Sequence, residues 1–196
     1  LPFDFTAFRR LKGAKSKMFA GTDKNIGFIA RWDEIKNHPA ALALAKEALA
    51  AGHRWKFRSV VDIPDDGRDE RFKRTYQKYM SLTPSLDRSG IARFCRSIDL
   101  LIVPSVFDVS PTVVLEAIAS GTPVAISKTV GFASAFRRYG ASKWIIDFDN
   151  PRSAFKKISR LLDEPMPKEL VKDIRRDHSH SRVFRSYLEV FRSLSR

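Results

Sequence analysis

The run LIVPSVFDVSPTVVLEAIASG, residues 101–121, leaves a chain little freedom in what it can fold into. Leu101, Ile102 and Val103 are an unbroken apolar segment, the pattern of a strand covered on both faces. After a loop, Ser110-Pro111 predicts a helix start. Serine is a favoured N-cap, and proline suits the first helical position because it has no N–H to leave unpaired. Gly121 closes the helix, and Gly121-Thr122-Pro123 leads into the next strand, PVAIS. The helix therefore begins just beyond the carboxyl end of a central strand, with backbone N–H groups of residues 110–113 facing the crevice. Such a place suits an anion, most often a phosphate. Asp108 in the loop and Glu116 in the helix frame it, with seven residues between them.

Around this run, apolar strands alternate with helical patterns. Strands are predicted over 24–30, 55–63, 80–83, 123–127 and 144–146, besides the central one. Helices are predicted over 38–51, 68–77, 91–97, 132–139, 151–162 and 167–176. A last helix carries Val183, Phe184, Tyr187, Leu188, Phe191 and Leu194 on one stripe. The alternation predicts an α/β fold: a Rossmann-like parallel sheet of about six strands with helices on both faces. Arg31 and Lys36 flank the loop between the first strand and the first long helix. Such a loop aims two cations at the same crevice; the alternative is a pair of solvated loop charges.

Composition bounds the function classes. With 196 residues, 43% of them hydrophobic, the chain can bury one core and reads most simply as one domain. No apolar run approaches the roughly 20 residues of a membrane span, and no signal-peptide pattern opens the chain. A net charge of +14 calls for a polyanionic partner: nucleic acid, an anionic membrane surface or a phosphate-bearing substrate. The single cysteine, Cys95, lies in an apolar helical pattern and reads as a core thiol in a reduced compartment.

Pro104, Ser105, Pro111, Leu115, Glu116, Ala117, Ala119, Gly121, Pro123 and Val124 stand in register with the acidic pair. Together they resemble the nucleotide-sugar-binding signature of GT-B glycosyltransferases, especially the retaining family 4 (group 1) type. That family carries two Glu with seven residues between them; here Asp108 replaces the first. The resemblance covers residues 24–194 and is dense over 26–37 and 98–131. It implies the C-terminal, donor-binding half of a hexosyltransferase-type enzyme, with a nucleotide-diphosphate sugar as donor substrate, no cofactor and no metal. Arg31 and Lys36 match a G-R…K-G pair that contacts the donor diphosphate, with Ala30 and Asn37 in place of the glycines. By the same resemblance Glu116 accepts the ribose hydroxyls, and Asp108 holds hydroxyls of the donor sugar. Ser110, Pro111, Thr112 and Val113 form the donor-binding turn, and Gly131 matches a glycine near the sugar. Ser134 stands near where an acidic residue often follows.

The implied layout is a basic linker over 1–22, with Phe3, Phe5 and Phe8 as anchors, and a donor-binding domain over 23–180. A C-terminal helix over 181–196 would pack toward a missing N-terminal, acceptor-binding domain. The expected setting is cytoplasmic, peripheral on the inner face of the membrane, in polysaccharide biosynthesis with a glycan or lipid-linked acceptor. A degenerate domain that binds nucleotide sugars without turnover, and a basic nucleic-acid-binding α/β domain, are the alternatives. The latter rests on charge alone, since the basic residues are not interleaved with aromatics as in nucleic-acid modules. Asp147-Phe148-Asp149 is a D-x-D, a metal motif in another glycosyltransferase fold, but here it precedes Asn150-Pro151, where Asp149 or Asn150 reads as an N-cap. His178 and His180 lack a third ligand nearby.

Overall fold

The computed structural model describes residues 2–8 and 23–194. The basic linker residues Arg9, Arg10, Lys12, Lys15 and Lys17, and residues 195–196, lie outside the described residues.

Six strands, β1 Asn25–Ile29, β2 Lys56–Val60, β3 Met80–Thr83, β4 Leu100–Val103, β5 Val124–Ser127 and β6 Ile145–Ile146, form one sheet. Its order is β3-β2-β1-β4-β5-β6, and every pairing is parallel. Parallel strands need helical crossovers, which cover both faces. The helices are α1 His38–Ala50, α2 Glu70–Tyr79, α3 Arg88–Arg96, α4 Thr112–Ser120, α5 Ala133–Arg138, α6 Pro151–Leu161, α7 Lys168–Asp177 and α8 His180–Leu194. In one layer α1 packs on α2 and α6; in the other α4 packs on α3 and α7. Every residue of β4 and β5 is buried, as the unbroken apolar runs require. The α/β architecture is as expected from the sequence.

Local differences from the expected boundaries have physical causes. The helix expected over 91–97 begins at Arg88, because Asp87 caps it by accepting from the Gly90 N–H at 2.7 Å. The one expected over 68–77 starts at Glu70, since Asp66 holds the Arg68 N–H at 3.0 Å in a turn. Asn150 caps α6 through the Ser153 N–H at 3.0 Å. Asp147 and Asp149 of the D-x-D are exposed on the turn before it.

The opening segment is anchored by its aromatic side chains. Phe3 and Phe8 are buried, Phe5 partly so, and the turn Thr6–Phe8 packs against α3 and α4. The Phe3 N–H donates to the His178 carbonyl at 2.8 Å. Burying a side chain such as Phe8 contributes about 1.5–3 kcal/mol. At the other end α8 contacts α7 but has no buried residue. Phe184, Tyr187, Val190, Phe191 and Leu194 on it are exposed. No helix among the described residues is long and apolar enough to cross a membrane.

Candidate functional site

The strand order reverses between β1 and β4, so the loops leaving their carboxyl ends diverge to opposite faces and open a crevice. A cleft of about 400 Å³ occupies that place. Arg31, Trp32 and Lys36 line it from the loop after β1, and Ser105, Asp108, Pro111, Thr112 and Val113 from the loop and helix start after β4. Asp62, Ser85, Leu86 and Ile91 close its far side. The crevice thus collects both predicted cations, Asp108 and the start of α4.

Lys36 and Asp108 meet directly, Nζ to Oδ2 at 2.5 Å, both largely shielded from solvent. Arg31 is exposed and pairs at 3.6 Å with Asp33, whose side chain also caps the Glu34–Lys36 turn through the Ile35 N–H.

The two loops are fastened to each other. Asn37 adopts a left-handed backbone at φ 58°, a conformation that asparagine tolerates better than most residues. The glycine geometry is therefore kept at a position where glycine is absent. Asn37 also caps α1 through the Ala40 N–H and donates from Nδ2 to the Pro104 carbonyl at 3.2 Å. The Val106 N–H donates to the Ile35 carbonyl at 2.9 Å. On the other flank Gly131 donates its N–H to the Asp108 carbonyl at 2.8 Å. A Cβ on Gly131 would sit 1.9 Å from the Val109 carbonyl oxygen, so only glycine permits this approach.

A buried polar group supports the Arg31 loop from below. His38 Nε2 donates to the Arg31 carbonyl at 2.8 Å, and Nδ1 lies 3.3 Å from the Tyr76 hydroxyl, itself 3.1 Å from Ser59 Oγ. Burial holds the His38 pKa below the usual imidazole range, and burial likewise raises the Tyr76 phenol above its own. Trp32 stacks on His38 with ring centroids 4.5 Å apart.

Other expected site residues are placed differently. Ser110 is not the N-cap: α4 begins at Thr112, and Pro111 occupies the cap position with φ −64° and ψ 113° and no side-chain cap bond. Proline's fixed φ is compatible with an extended cap residue as well as with the first helical turn, which shifts the start by one residue. Thr112 and Val113, at the first two positions of α4, line the cleft, where the first N–H groups of a helix have no partner within it. Ser110, Glu116 and Gly131 are not among the residues lining the cleft. Glu116 is half-buried on α4; burial raises its pKa, and the Arg88 charge acts to lower it. Cys95 is buried, its pKa pushed up to about 12 by burial and then by the Glu116 charge. His178 stacks on Phe132 at 5.2 Å. Among the described residues no cluster of three His, Cys, Asp or Glu could hold a metal.

Trp32, Asp62 and Ser85 were not anticipated. Asp62 accepts from the Ser85 N–H at 2.9 Å and from its hydroxyl, pinning the loop after β3 at the rim. A tryptophan directly beside Arg31 was the available signal for the first; nothing in the sequence pairs positions 62 and 85.

Residues 12–177 match the family model described as glycosyl transferases group 1. A D-inositol 3-phosphate glycosyltransferase of Acidothermus cellulolyticus is 30% identical over 156 residues, covering 74% of this chain and 35% of that protein. Among solved structures, the sucrose-phosphate synthase of Thermosynechococcus elongatus superposes with a TM-score of 0.75 at 16% identity, over 98% of this chain and 51% of that one. The C-terminal domain of a glycosyl transferase group 1 family protein from Francisella tularensis gives 0.68 at 14% identity, over 91% of this chain and 99% of that one. These structures share the fold. The chain spans about a third of that curated relative and half of the synthase. By the match over most of its length, and by the GT-B fold its sheet shares with these structures, the chain belongs to the group 1 glycosyltransferase family.

Proposed function

We propose that this chain is the donor-binding half of a glycosyltransferase that uses a nucleoside-diphosphate sugar. The observation that carries the reading is the meeting of Arg31, Lys36 and the first turn of α4 around one switch-point cleft. Two cations and a helix N-terminus match a diphosphate in charge and in hydrogen-bonding need.

When the bond from the anomeric carbon to the diphosphate breaks, the electron pair goes to the diphosphate and the sugar becomes oxocarbenium-like. The oxygen of an acceptor hydroxyl forms the new bond to the anomeric carbon, and its proton passes to the departing diphosphate. Positive charge fixed at Arg31, Lys36 and the Thr112–Val113 N–H groups stabilises the developing diphosphate charge more than the ground state. The reaction so assisted is proposed to be retaining and metal-independent. Glu116 is assigned to the ribose hydroxyls, Asp108 to sugar hydroxyls, and Gly131 to keeping the Asp108 loop in place. A preceding domain, against which the apolar face of α8 packs, is assigned the glycan or lipid-linked acceptor, at the cytoplasmic face of a membrane.

Calorimetric titration with UDP, GDP, ADP and their glucose or mannose conjugates tests this. One nucleotide series binds the wild type, and Lys36→Met and Glu116→Ala each weaken it by at least about tenfold, the scale of one charge-assisted hydrogen bond. Absence of binding to all, with salt-sensitive binding to an oligonucleotide, would replace this reading by the nucleic-acid one.

A domain that binds donor without turnover is the second reading, favoured by the ion pair that ties Lys36 and Asp108 to each other. Asp108→Glu in the longer protein separates the two. Gained transfer or donor hydrolysis supports an enzyme, and inactivity of both forms supports the binder.

A further inference from the structure

The cleft has two unlike ends. Arg31, Lys36 and the start of α4 make one of them cationic. The other is lined by Val60, Leu86 and Ile91, together with Asp62 and Ser85. Residues Val60 and Thr83 pair at the ends of the parallel strands β2 and β3, so the loops carrying Asp62 and Ser85 leave the sheet side by side. With a diphosphate at the cationic end, the second end suits the part of the ligand with most apolar surface. That part is the planar base, since a sugar covered in hydroxyls has little to bury beside Leu86 and Ile91.

Asp62 is the one charge at this second end. Its Oδ1 accepts from the Ser85 N–H at 2.9 Å, and its Oδ2 accepts from the Ser85 hydroxyl. Both oxygens are thereby held, and each keeps a lone pair for a further donor. Of the two carboxylates that line the cleft, Asp108 is paired with Lys36, whereas Asp62 has no ion pair among the described residues. The bases differ in what they offer such a group. Guanine has N1–H and the N2 amine side by side, matching two carboxylate oxygens in a fork. Adenine has one amine next to an acceptor nitrogen. Uracil has a single N–H between two carbonyl oxygens, which a carboxylate repels.

We propose that Asp62 is a specificity residue of this cleft: with Ser85 holding its two oxygens, it accepts the N1–H and N2–H of a guanine base, so that the donor is a GDP-sugar. The proposal rests on the donor-binding reading and narrows it to one base.

Calorimetric titration with GDP, inosine diphosphate, ADP and UDP tests it. Inosine diphosphate keeps the N1–H and lacks the 2-amino group. In the wild type GDP binds tightest, and inosine diphosphate and UDP are each weaker by about tenfold or more, the scale of one hydrogen bond to a charged group. Asp62→Asn can still bond Ser85 but offers one acceptor and one donor. It weakens GDP by about tenfold, brings inosine diphosphate level with it, and improves UDP relative to both. Equal wild-type affinities for GDP and inosine diphosphate, or tighter binding of UDP than of GDP, overturn the proposal without recourse to a variant that has to fold. An equal loss for every nucleotide in Asp62→Asn, with the preference for GDP kept, overturns it too and leaves Asp62 as a clamp on Ser85. Binding of none of the four overturns the donor reading itself, and the guanine assignment with it.

Discussion

Lys36 Nζ and Asp108 Oδ2 stand 2.5 Å apart at the junction of the two loops that make the cleft. The resemblance assigns each to a different part of a donor, and in the structure each is the other's partner. On the function proposed above, a diphosphate draws Lys36 from this carboxylate, and the pair then sets a cost on binding.

Asp108→Asn is expected to raise affinity for the bare nucleoside diphosphate by roughly fivefold, about 1 kcal/mol, because Lys36 no longer leaves a counter-ion. Thermal stability falls by a similar amount, since a shielded ammonium loses its partner. Calorimetry with the diphosphate and with its sugar conjugate checks both halves. A smaller gain for the conjugate marks the lost sugar contact, whereas equal gains would leave Asp108 with no role toward the sugar.

Gly131→Ala forces the loop after β5 away from Val109, whose carbonyl oxygen would lie 1.9 Å from the new methyl carbon. A loss of about 1–3 kcal/mol in unfolding free energy is expected, with weaker donor binding because the Asp108 carbonyl loses the Gly131 N–H. Denaturant melts and titrations on the same variant measure the two effects. An unchanged melt would mean that the loops separate freely.

His38 makes stability depend on pH. Its pKa in the folded chain is depressed, chiefly by burial, below the ordinary imidazole value of about 6.5. Its contribution is thus complete above that value and is lost as pH falls through the folded pKa. Unfolding free energy should decline from pH 7 toward pH 5 and decline less steeply in His38→Gln. Parallel pH curves for the two proteins would show that other groups set the slope.

Cys95, buried and with its pKa near 12, is expected to resist iodoacetamide in the native protein and to react as the chain unfolds. Labelling followed by mass spectrometry across a denaturant series should trace the unfolding curve. Fast labelling without denaturant would contradict the burial.

What the sequence disclosed depended on how local each cause is. The β4–α4 unit was legible because Leu101–Val103, Pro111 and Gly121 state strand, turn and helix end within one run. Asn37 misled in a useful way: it looks like a lost glycine, yet its side chain supports the left-handed backbone that glycine would have supplied. Ser110 illustrates the limit of cap reasoning, since two adjacent residues suit the position and only the backbone chooses. The seat of Arg88 on Phe3 and Phe8, and the Asp62–Ser85 clamp, join positions that no periodicity relates.

The reversal of strand order carries a kinetic consequence. β1 finds β2 after one helical crossover, but its other neighbour is far down the chain: the Asn25 N–H bonds Asp99 across 74 residues at the mouth of β4. Closing so long a loop is entropically late, and the crevice has no second wall until it happens. In a refolding experiment, competence to bind a nucleotide should therefore appear no earlier than the slowest signal from the sheet. If the proposed donor site is correct, a donor stabilises only chains in which the two halves of the sheet have already joined.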